Sequence, residues 1–192
     1  MNLSPRTRIR LLGLLPLLFF FAQAVHYWRI NQLGHILWMC NIGNLVLAFG
    51  LFFEKPVVIR LASIWMVPGL IIWFIYVVMA WGVFLTSTLA HVGGLIVAMF
   101  ALSKYGMDRI TWRWAFGWWL VVQLLSHYVT SPDLNVNLAH AVGYGWERTF
   151  HSYWLFWLTM NVATAIVLWL CGLLLSSLWP AGVREELVAE EL

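Results

Sequence analysis

The stretch LASIWMVPGLIIWFIYVVMAWGVFLTSTLAHVGGLIVAMFALS, residues 61–103, contains no aspartate, glutamate, lysine or arginine. A helix that crosses about 30 Å of hydrocarbon needs about 20 mostly apolar residues. The stretch therefore has room for two membrane-spanning helices. We divide it near Trp81-Gly82, and the two predicted helices cover residues 58–80 and 84–103.

Four further apolar segments have the length of a membrane span. They cover residues 11–27, 33–53, 112–129 and 153–179. The first resembles a cleavable signal peptide, because three arginines precede it and Ala22-Gln23-Ala24 lies near its end, but we expect it to stay as a span. The sequence thus predicts an all-α fold, a bundle of six transmembrane helices over residues 1–180, with an acidic tail at 181–192.

The composition agrees with a lipid environment. Hydrophobic residues make up 62% of the chain and charged residues only 10%, whereas a soluble domain carries about a quarter charged residues. The 192 residues leave room for one domain and for no separate soluble module. The formal net charge of +3 is modest, and it gives no reason to expect a nucleic-acid partner.

The lysines and arginines indicate an orientation, because cytoplasmic loops of membrane proteins collect these residues. Of the 11 basic residues, all but Arg29 and Arg148 fall on one side of the predicted bundle. That side carries Arg6, Arg8, Arg10, Lys55, Arg60, Lys104, Arg109, Arg113 and Arg184. The bias predicts that both termini lie in the cytoplasm.

All six histidines fall on the opposite, outer side of this predicted bundle. They are His26, His35, His91, His127, His140 and His151. Polar groups inside hydrocarbon cost free energy unless they find partners, so they are expected to face the interior of the bundle. The sequence therefore predicts a polar pocket that opens outward.

Residue spacing suggests which side chains line this pocket. Residues three or four apart share a face of a helix, as do Cys40 and Asn44, with Asn41 beside them. The other expected lining residues are His35, Thr88, His91, Gln123 and His127. The loop at residues 130–152 carries Asn135 and Asn137, which either offer amides to the pocket as part of a lid or bond their own backbone in a turn.

One interpretation of the pocket is a thiol enzyme. A cysteine thiolate is a nucleophile, and a nearby histidine can take its proton. Cys40 and His91 fall at similar predicted depths, where a lipid ester is within reach, while Asn41, Asn44 or Thr88 could orient the imidazole or bind an oxyanion. The alternative is that Cys40 is a small buried apolar residue and that His91 bonds across helices.

The arrangement His35-x4-Cys40-Asn41, with His91 two predicted helices later and an Asn-x-Asn loop before the last helix, resembles the six-helix membrane acyltransferase-like family, which is distantly related to the androgen-induced-gene lipid hydrolases. The resemblance implies Cys40 and His91 as catalytic residues and membrane lipids as partners. The run Ser131 to Asn137 is also similar to a loop in uncharacterised bacterial membrane proteins. We therefore expect a bacterial cytoplasmic membrane protein without a cofactor.

Two other functions stay open. In the first, outer histidines bind haem or a transition metal, since imidazole is a common metal ligand; the candidate ligands are His26, His35, His127, His140 and His151. In the second, the chain is an accessory subunit whose apolar faces pack against other subunits of a membrane complex.

Overall fold

The computed structural model describes residues 4–80 and 84–181, and in these ranges the chain is helical with no β-strand. The α-helices are α1 (Pro5–Leu12), α2 (Leu14–Arg29), α3 (Met39–Phe52), α4 (Pro56–Ala80), α5 (Leu85–Thr88), α6 (Gly94–Tyr105), α7 (Thr111–Val129) and α8 (Tyr153–Leu178). The predicted division at Trp81-Gly82 and the acidic tail beyond Ala181 lie outside the described residues. The all-α prediction is confirmed for the part described.

Four helical segments of the described ranges are long and apolar enough to cross a membrane. They are Arg6–Arg29, Pro56–Met79, Leu85–Tyr105 and Tyr153–Leu178. The chain is therefore a helical membrane protein. Helix α3 is apolar but has only 14 residues, and α7 carries Gln123 and His127 among its apolar residues. Six crossings remain a prediction.

The segment predicted as one helix over 33–53 is broken. A 3-10 turn, Leu33–Leu37, is followed by Trp38 with φ −52° and ψ 134°, and α3 begins only at Met39. The first backbone N–H groups of a helix need partners from outside that helix, and such a partner is present where α3 begins. The Oδ1 atom of Asn137 accepts the Met39 N–H at 3.2 Å. His35 and Cys40 thus do not lie on one continuous helix.

The helix predicted over 84–103 is also irregular. Its middle, Leu89–Gly93, is a π-helical turn between α5 and α6. A π-turn inserts an extra residue into the α-helical repeat, and such turns occur often at functional sites. His91 lies at the centre of this turn. The α-helical rule that residues three apart share a face therefore does not apply to Thr88 and His91.

Contacts between distant segments bring four helix ends together at one end of the bundle. Arg10 Nε donates to Glu54 Oε1 at 2.6 Å, which joins α1 to the turn before α4. The Met107 N–H donates to the Trp179 carbonyl at 2.6 Å, which joins the turn before α7 to the end of α8. This is the end where sequence analysis placed most basic residues.

Arg60 is the main polar contact at this end. It is only 6% exposed, and its guanidinium donates to the carbonyls of Gly106 and Tyr105 and to Asp108 Oδ2, at 3.1, 2.8 and 3.2 Å. Asp108 Oδ1 in turn accepts the Thr111 N–H at 2.7 Å at the start of α7. Arg60 therefore fixes the α6–α7 turn against α4.

Replacing Arg60 by methionine is expected to lower the free energy of unfolding by about 2–4 kcal/mol, because carbonyls and a carboxylate lose a charged donor in a mostly buried site. Thermal unfolding of the purified protein in detergent measures this. Arg109→Met is the control, since Arg109 is exposed in the same turn. Equal melting temperatures for the two variants would contradict the role assigned to Arg60.

Helix α4 lies at the centre of the packing. Its Ile64 and Trp65 belong to a buried cluster shared with α7 and α8, and its Ile59 and Met66 belong to a second cluster shared with α3 and α6. The Trp65 indole also donates to the Ala115 carbonyl at 3.1 Å. Helix α4 is thus packed on both sides. Its residues Gly69 and Trp73 contact the polar residues described next.

Candidate functional site

The polar residues predicted to line one pocket fall into two separate groups. The first, which we call the cysteine–histidine cluster, lies between α2, α3, α4 and the π-turn; it comprises Gln23, Tyr27, Cys40, Asn41, Asn44, Trp73, Ser87 and His91. The second, which we call the Asn137 network, lies between α7, α8, the start of α3 and the loop at residues 130–152, which we call the outer loop after its predicted side. It comprises Trp119, Gln123, Ser126, Asn137 and Asn161. The Asn137 network meets α3 at its first residue, Met39, whereas Cys40, Asn41 and Asn44 of α3 belong to the cysteine–histidine cluster.

Asn44 joins the segment of Cys40 to the segment of His91. Its Nδ2 donates to the Cys40 carbonyl at 3.0 Å and to the Ala90 carbonyl at 2.9 Å. The Asn44 side chain is fully buried. Gly94 allows this approach, since a Cβ placed there would lie 2.5 Å from Asn44 Oδ1. The structure thus brings the two predicted catalytic residues into one neighbourhood.

The orientation of the His91 ring is fixed. Its Nδ1 lies 2.8 Å from the Ser87 carbonyl, and because a carbonyl can only accept, Nδ1 carries the proton in the neutral ring. The ring stacks on Trp73 with centroids 5.5 Å apart and planes at 18°. Trp73 Nε1 donates to Ser87 Oγ at 2.9 Å. Nε2 is left as the basic nitrogen.

Cys40 is the second residue of α3, a half-buried residue whose thiol forms no disulfide. The Asn41 backbone N–H, next in the chain, donates to the Trp38 carbonyl at 2.9 Å. A Cβ placed at Gly69 would lie 3.5 Å from the Cys40 Cβ, so α4 leaves space next to the thiol. Backbone N–H groups at a helix start favour negative charge. Among the described residues, no hydrogen bond joins Cys40 to His91.

The supporting roles predicted for three residues differ from their contacts. Asn41 Nδ2 donates to the His35 carbonyl at 3.0 Å, and both bonds of Asn44 Nδ2 go to backbone carbonyls. The Thr88 hydroxyl donates to the Phe84 carbonyl at 3.1 Å. The donors of Asn44 and Thr88 are therefore used in this arrangement, whereas Asn41 Nδ2 has a second N–H besides the one that bonds the His35 carbonyl.

Three buried amide oxygens of the cluster have no hydrogen-bond partner in the described structure. They belong to Gln23, Asn41 and Asn44, whose side chains are 1%, 1% and 0% exposed. A buried polar atom left unpaired costs about 1–3 kcal/mol. Most buried polar groups are satisfied in native proteins. Two other side-chain atoms of the described residues, Thr86 Oγ1 and Trp118 Nε1, are also buried without a partner, so three of these five atoms belong to the cysteine–histidine cluster.

The side chains of the Asn137 network, by contrast, are bonded to one another and to the backbone. Asn137 Nδ2 donates to the Leu37 carbonyl and to Ser126 Oγ, at 2.8 and 2.9 Å. Gln123 Nε2 donates to the Asn137 carbonyl at 3.0 Å, and Asn161 Nδ2 lies 3.3 Å from Gln123 Oε1. The network ties the outer loop onto α3 and α7. Gln123 and Asn137, predicted to line a pocket, hold the loop in place.

Asn135 and His127 also bond the outer loop. Asn135 Oδ1 accepts the N–H groups of His140 and Ala141, both at 3.0 Å, which is the local turn considered for this residue. His127 Nδ1 lies 2.8 Å from the Ala139 carbonyl. Its ring stacks on His140 with centroids 5.0 Å apart. The loop is thus a folded cover over this end of the bundle.

The candidate metal ligands do not gather at one point. Within residues 4–80 and 84–181, no group of three or more His, Cys, Asp or Glu side chains could hold a metal ion. His26 packs on Phe84 at 5.0 Å, and His35 packs on Tyr27 at 5.3 Å. His151 is exposed. His35 lies outside the four candidate spans. Its partial burial lowers the pKa of its imidazole.

Sequence reasoning missed three members of the cysteine–histidine cluster: Gln23, Tyr27 and Trp73. A signal existed for the first two, because they are four residues apart and share a face of α2. Trp73 could not be separated from the other tryptophans by sequence.

The groove between α3 and α7 is apolar, lined by residues such as Ile42, Leu45, Trp118 and Val121.

Comparisons of the chain with protein-family models, with curated protein sequences and with solved structures gave no match. The resemblance to the acyltransferase-like family stays a prediction.

Proposed function

We propose that the chain is a lipid-directed membrane enzyme that uses Cys40 as nucleophile and His91 as base, for acyl transfer or ester hydrolysis. The observation that supports this most is the Asn44 side chain, which bonds to the Cys40 carbonyl and to the carbonyl next to His91. One buried amide thus connects the backbone of the nucleophile to the turn that carries the base.

The chemistry follows from the two side chains. Burial disfavours a free thiolate, so the Cys40 proton passes to His91 Nε2 as the sulfur attacks the ester carbonyl. The carbon–sulfur bond forms. The tetrahedral intermediate then collapses as the bond between the carbonyl carbon and the alkoxy oxygen of the lipid breaks. That oxygen takes the proton back from His91, which leaves an acyl thioester on Cys40. Water or a second lipid then accepts the acyl group.

The surroundings suit this reaction in two respects. Cys40 is the second residue of α3, and the backbone at a helix start favours negative charge that develops near it. The Ser87 carbonyl and the Trp73 ring hold the imidazole in one tautomer and one plane. A base in a fixed orientation is what general-base catalysis requires.

We place the cluster toward the outer face of a bacterial cytoplasmic membrane. In support, the α1, α4, α7 and α8 ends that carry Arg10, Arg60 and Met107 meet at one end of the bundle, and most basic residues flank that end. Cytoplasmic loops collect such residues. Cys40 and His91 lie toward the other end, where Tyr27 packs on His35.

Replacing His91 by asparagine tests the base. Asparagine can still donate to the Ser87 carbonyl but has no basic nitrogen, so kcat/KM is expected to fall by a factor of about 10²–10⁴ with little change in melting temperature. The assay measures release or transfer of a radiolabelled acyl chain from phospholipid in vesicles that contain the purified protein. His151→Asn is the control. Full activity of His91→Asn would overturn the proposed mechanism.

A further inference from the structure

An apolar groove lies between α7 and α8, away from the cysteine–histidine cluster. It has a volume of about 270 Å³ and is lined by Trp112 of α7 and by Ala165, Ile166 and Trp169 of α8. Trp112 is the second residue of α7, and a Cβ placed at Gly172 would lie 3.4 Å from the Trp112 Cβ. Because Ala165 precedes Gly172 by seven residues, the groove runs about 10 Å along α8, from the start of α7 toward the middle of α8.

A cation lies at the end of this groove. The guanidinium carbon of Arg113, an exposed residue, is 5.8 Å from the centre of the Trp112 ring. Side chains on a helix point back toward its N-terminus, which directs Arg113 toward the start of α7 and the end of the bundle. Within residues 4–80 and 84–181, Arg113 forms no salt bridge, since Glu54 and Asp108 pair with other arginines. The groove is therefore apolar along its length and positively charged at its mouth.

This combination fits a phospholipid with a net negative charge. Helix α8 is long and apolar enough to cross a membrane, and Ile166 and Trp169 are 50% and 44% exposed, so the groove opens to hydrocarbon. An acyl chain matches its apolar walls, and the phosphate at the end of that chain reaches the arginine, which binds phosphate oxygens in a bidentate geometry. A zwitterionic head group would also bring an ammonium group near Arg113, and like charges repel each other.

We propose that the groove between α7 and α8 binds an anionic glycerophospholipid, with one acyl chain against Trp112, Ala165 and Trp169 and with its phosphate on Arg113. Basic sites between membrane helices bind anionic lipid head groups in this way. The site lies on other helices than Cys40 and His91, and it does not depend on the reaction proposed for them. A lipid in this position contacts both α7 and α8.

Native mass spectrometry of the purified, delipidated protein in detergent measures the binding. The probes are 1-palmitoyl-2-oleoyl phosphatidylglycerol and the phosphatidylethanolamine with the same two acyl chains, so that they differ in net charge. We expect phosphatidylglycerol to bind at least about tenfold more tightly, the equivalent of about 1.4 kcal/mol, because no ammonium group offsets the attraction of its phosphate to arginine. Arg113→Gln is expected to remove this preference, and Arg148→Gln, at an exposed position of the outer loop, to keep it.

A second pair of variants tests the groove itself. Ala165→Phe places a ring in the groove and is expected to weaken the binding of phosphatidylglycerol about tenfold, whereas Ala163→Phe, at an exposed position of α8 outside the groove, is expected to leave it unchanged. Equal affinities of the unmodified protein for the two lipids would overturn the inference, as would a preference that Arg113→Gln keeps or binding that Ala165→Phe leaves unchanged. A lipid-free dimer that Ala165→Phe dissociates would also overturn it, because a second copy of the chain would then occupy the groove.

Discussion

Replacing Cys40 by alanine is expected to reduce acyl release from phospholipid by a factor on the order of 10³ or more, because removal of a nucleophile eliminates the covalent route. The fold is expected to tolerate the change. The Cys40 side chain makes no hydrogen bond to another side chain in the described ranges, and it faces a glycine, Gly69, on α4. Radiolabelled acyl release and thermal unfolding, measured on the same preparation, separate the two effects.

The second cysteine supplies the control. Cys171 lies on α8, is 9% exposed, and packs in the apolar core with Ile64 and Leu168. Cys171→Ala is expected to keep the turnover of the unmodified protein. If Cys40→Ala and Cys171→Ala were equally active, Cys40 would be a packing residue and the thiol mechanism would be wrong.

Replacing Asn137 by glycine is expected to lower the free energy of unfolding by about 3–5 kcal/mol. The change removes the acceptor of the Met39 N–H and the donor to Leu37 and Ser126, and buried groups left unpaired cost about 1–3 kcal/mol each. Glycine is the informative substitution because Asn137 has φ 54°, a left-handed conformation that glycine adopts without strain. Chemical or thermal unfolding in detergent measures the loss.

Asn135→Gly is the matched control for this change. Asn135 also has a positive φ, 40°, but its side chain bonds only within the outer loop, to His140 and Ala141. The glycine itself adds a similar unfolded-state entropy in both variants. A loss of stability in Asn135→Gly as large as that in Asn137→Gly would show that the bonds to α3 and α7 contribute little.

Helical class was predictable from sequence, whereas helix regularity was not. Apolar length alone identified the segments around α4 and α8, because a stretch without charge has few alternatives. The break at Trp38 and the π-turn at His91 depend on groups far away in the chain. Asn137 caps α3 from nearly a hundred residues further on, and local periodicity carries no information about such a partner.

Within the site, residue types were predictable and partners were not. Intramembrane histidine, asparagine and glutamine must face the interior, and Asn44 and Gln123 are indeed buried. Which of these residues share a cluster depends on where α3 begins, because residues before the helix and residues within it meet different neighbours. A start at Met39 turns Asn44 toward the π-turn, while the preceding segment bonds Asn137.

The most direct test of the proposed mechanism is the detection of an acyl thioester on Cys40. The purified protein is incubated with phospholipid vesicles, quenched in acid and examined by peptide mass spectrometry. We expect the mass of one acyl chain on the peptide that contains Cys40, its loss after treatment with neutral hydroxylamine, and greater accumulation when the acyl acceptor is withheld. Acyl label found equally on Cys171, or on neither cysteine while lipid is turned over, would contradict Cys40 as the nucleophile.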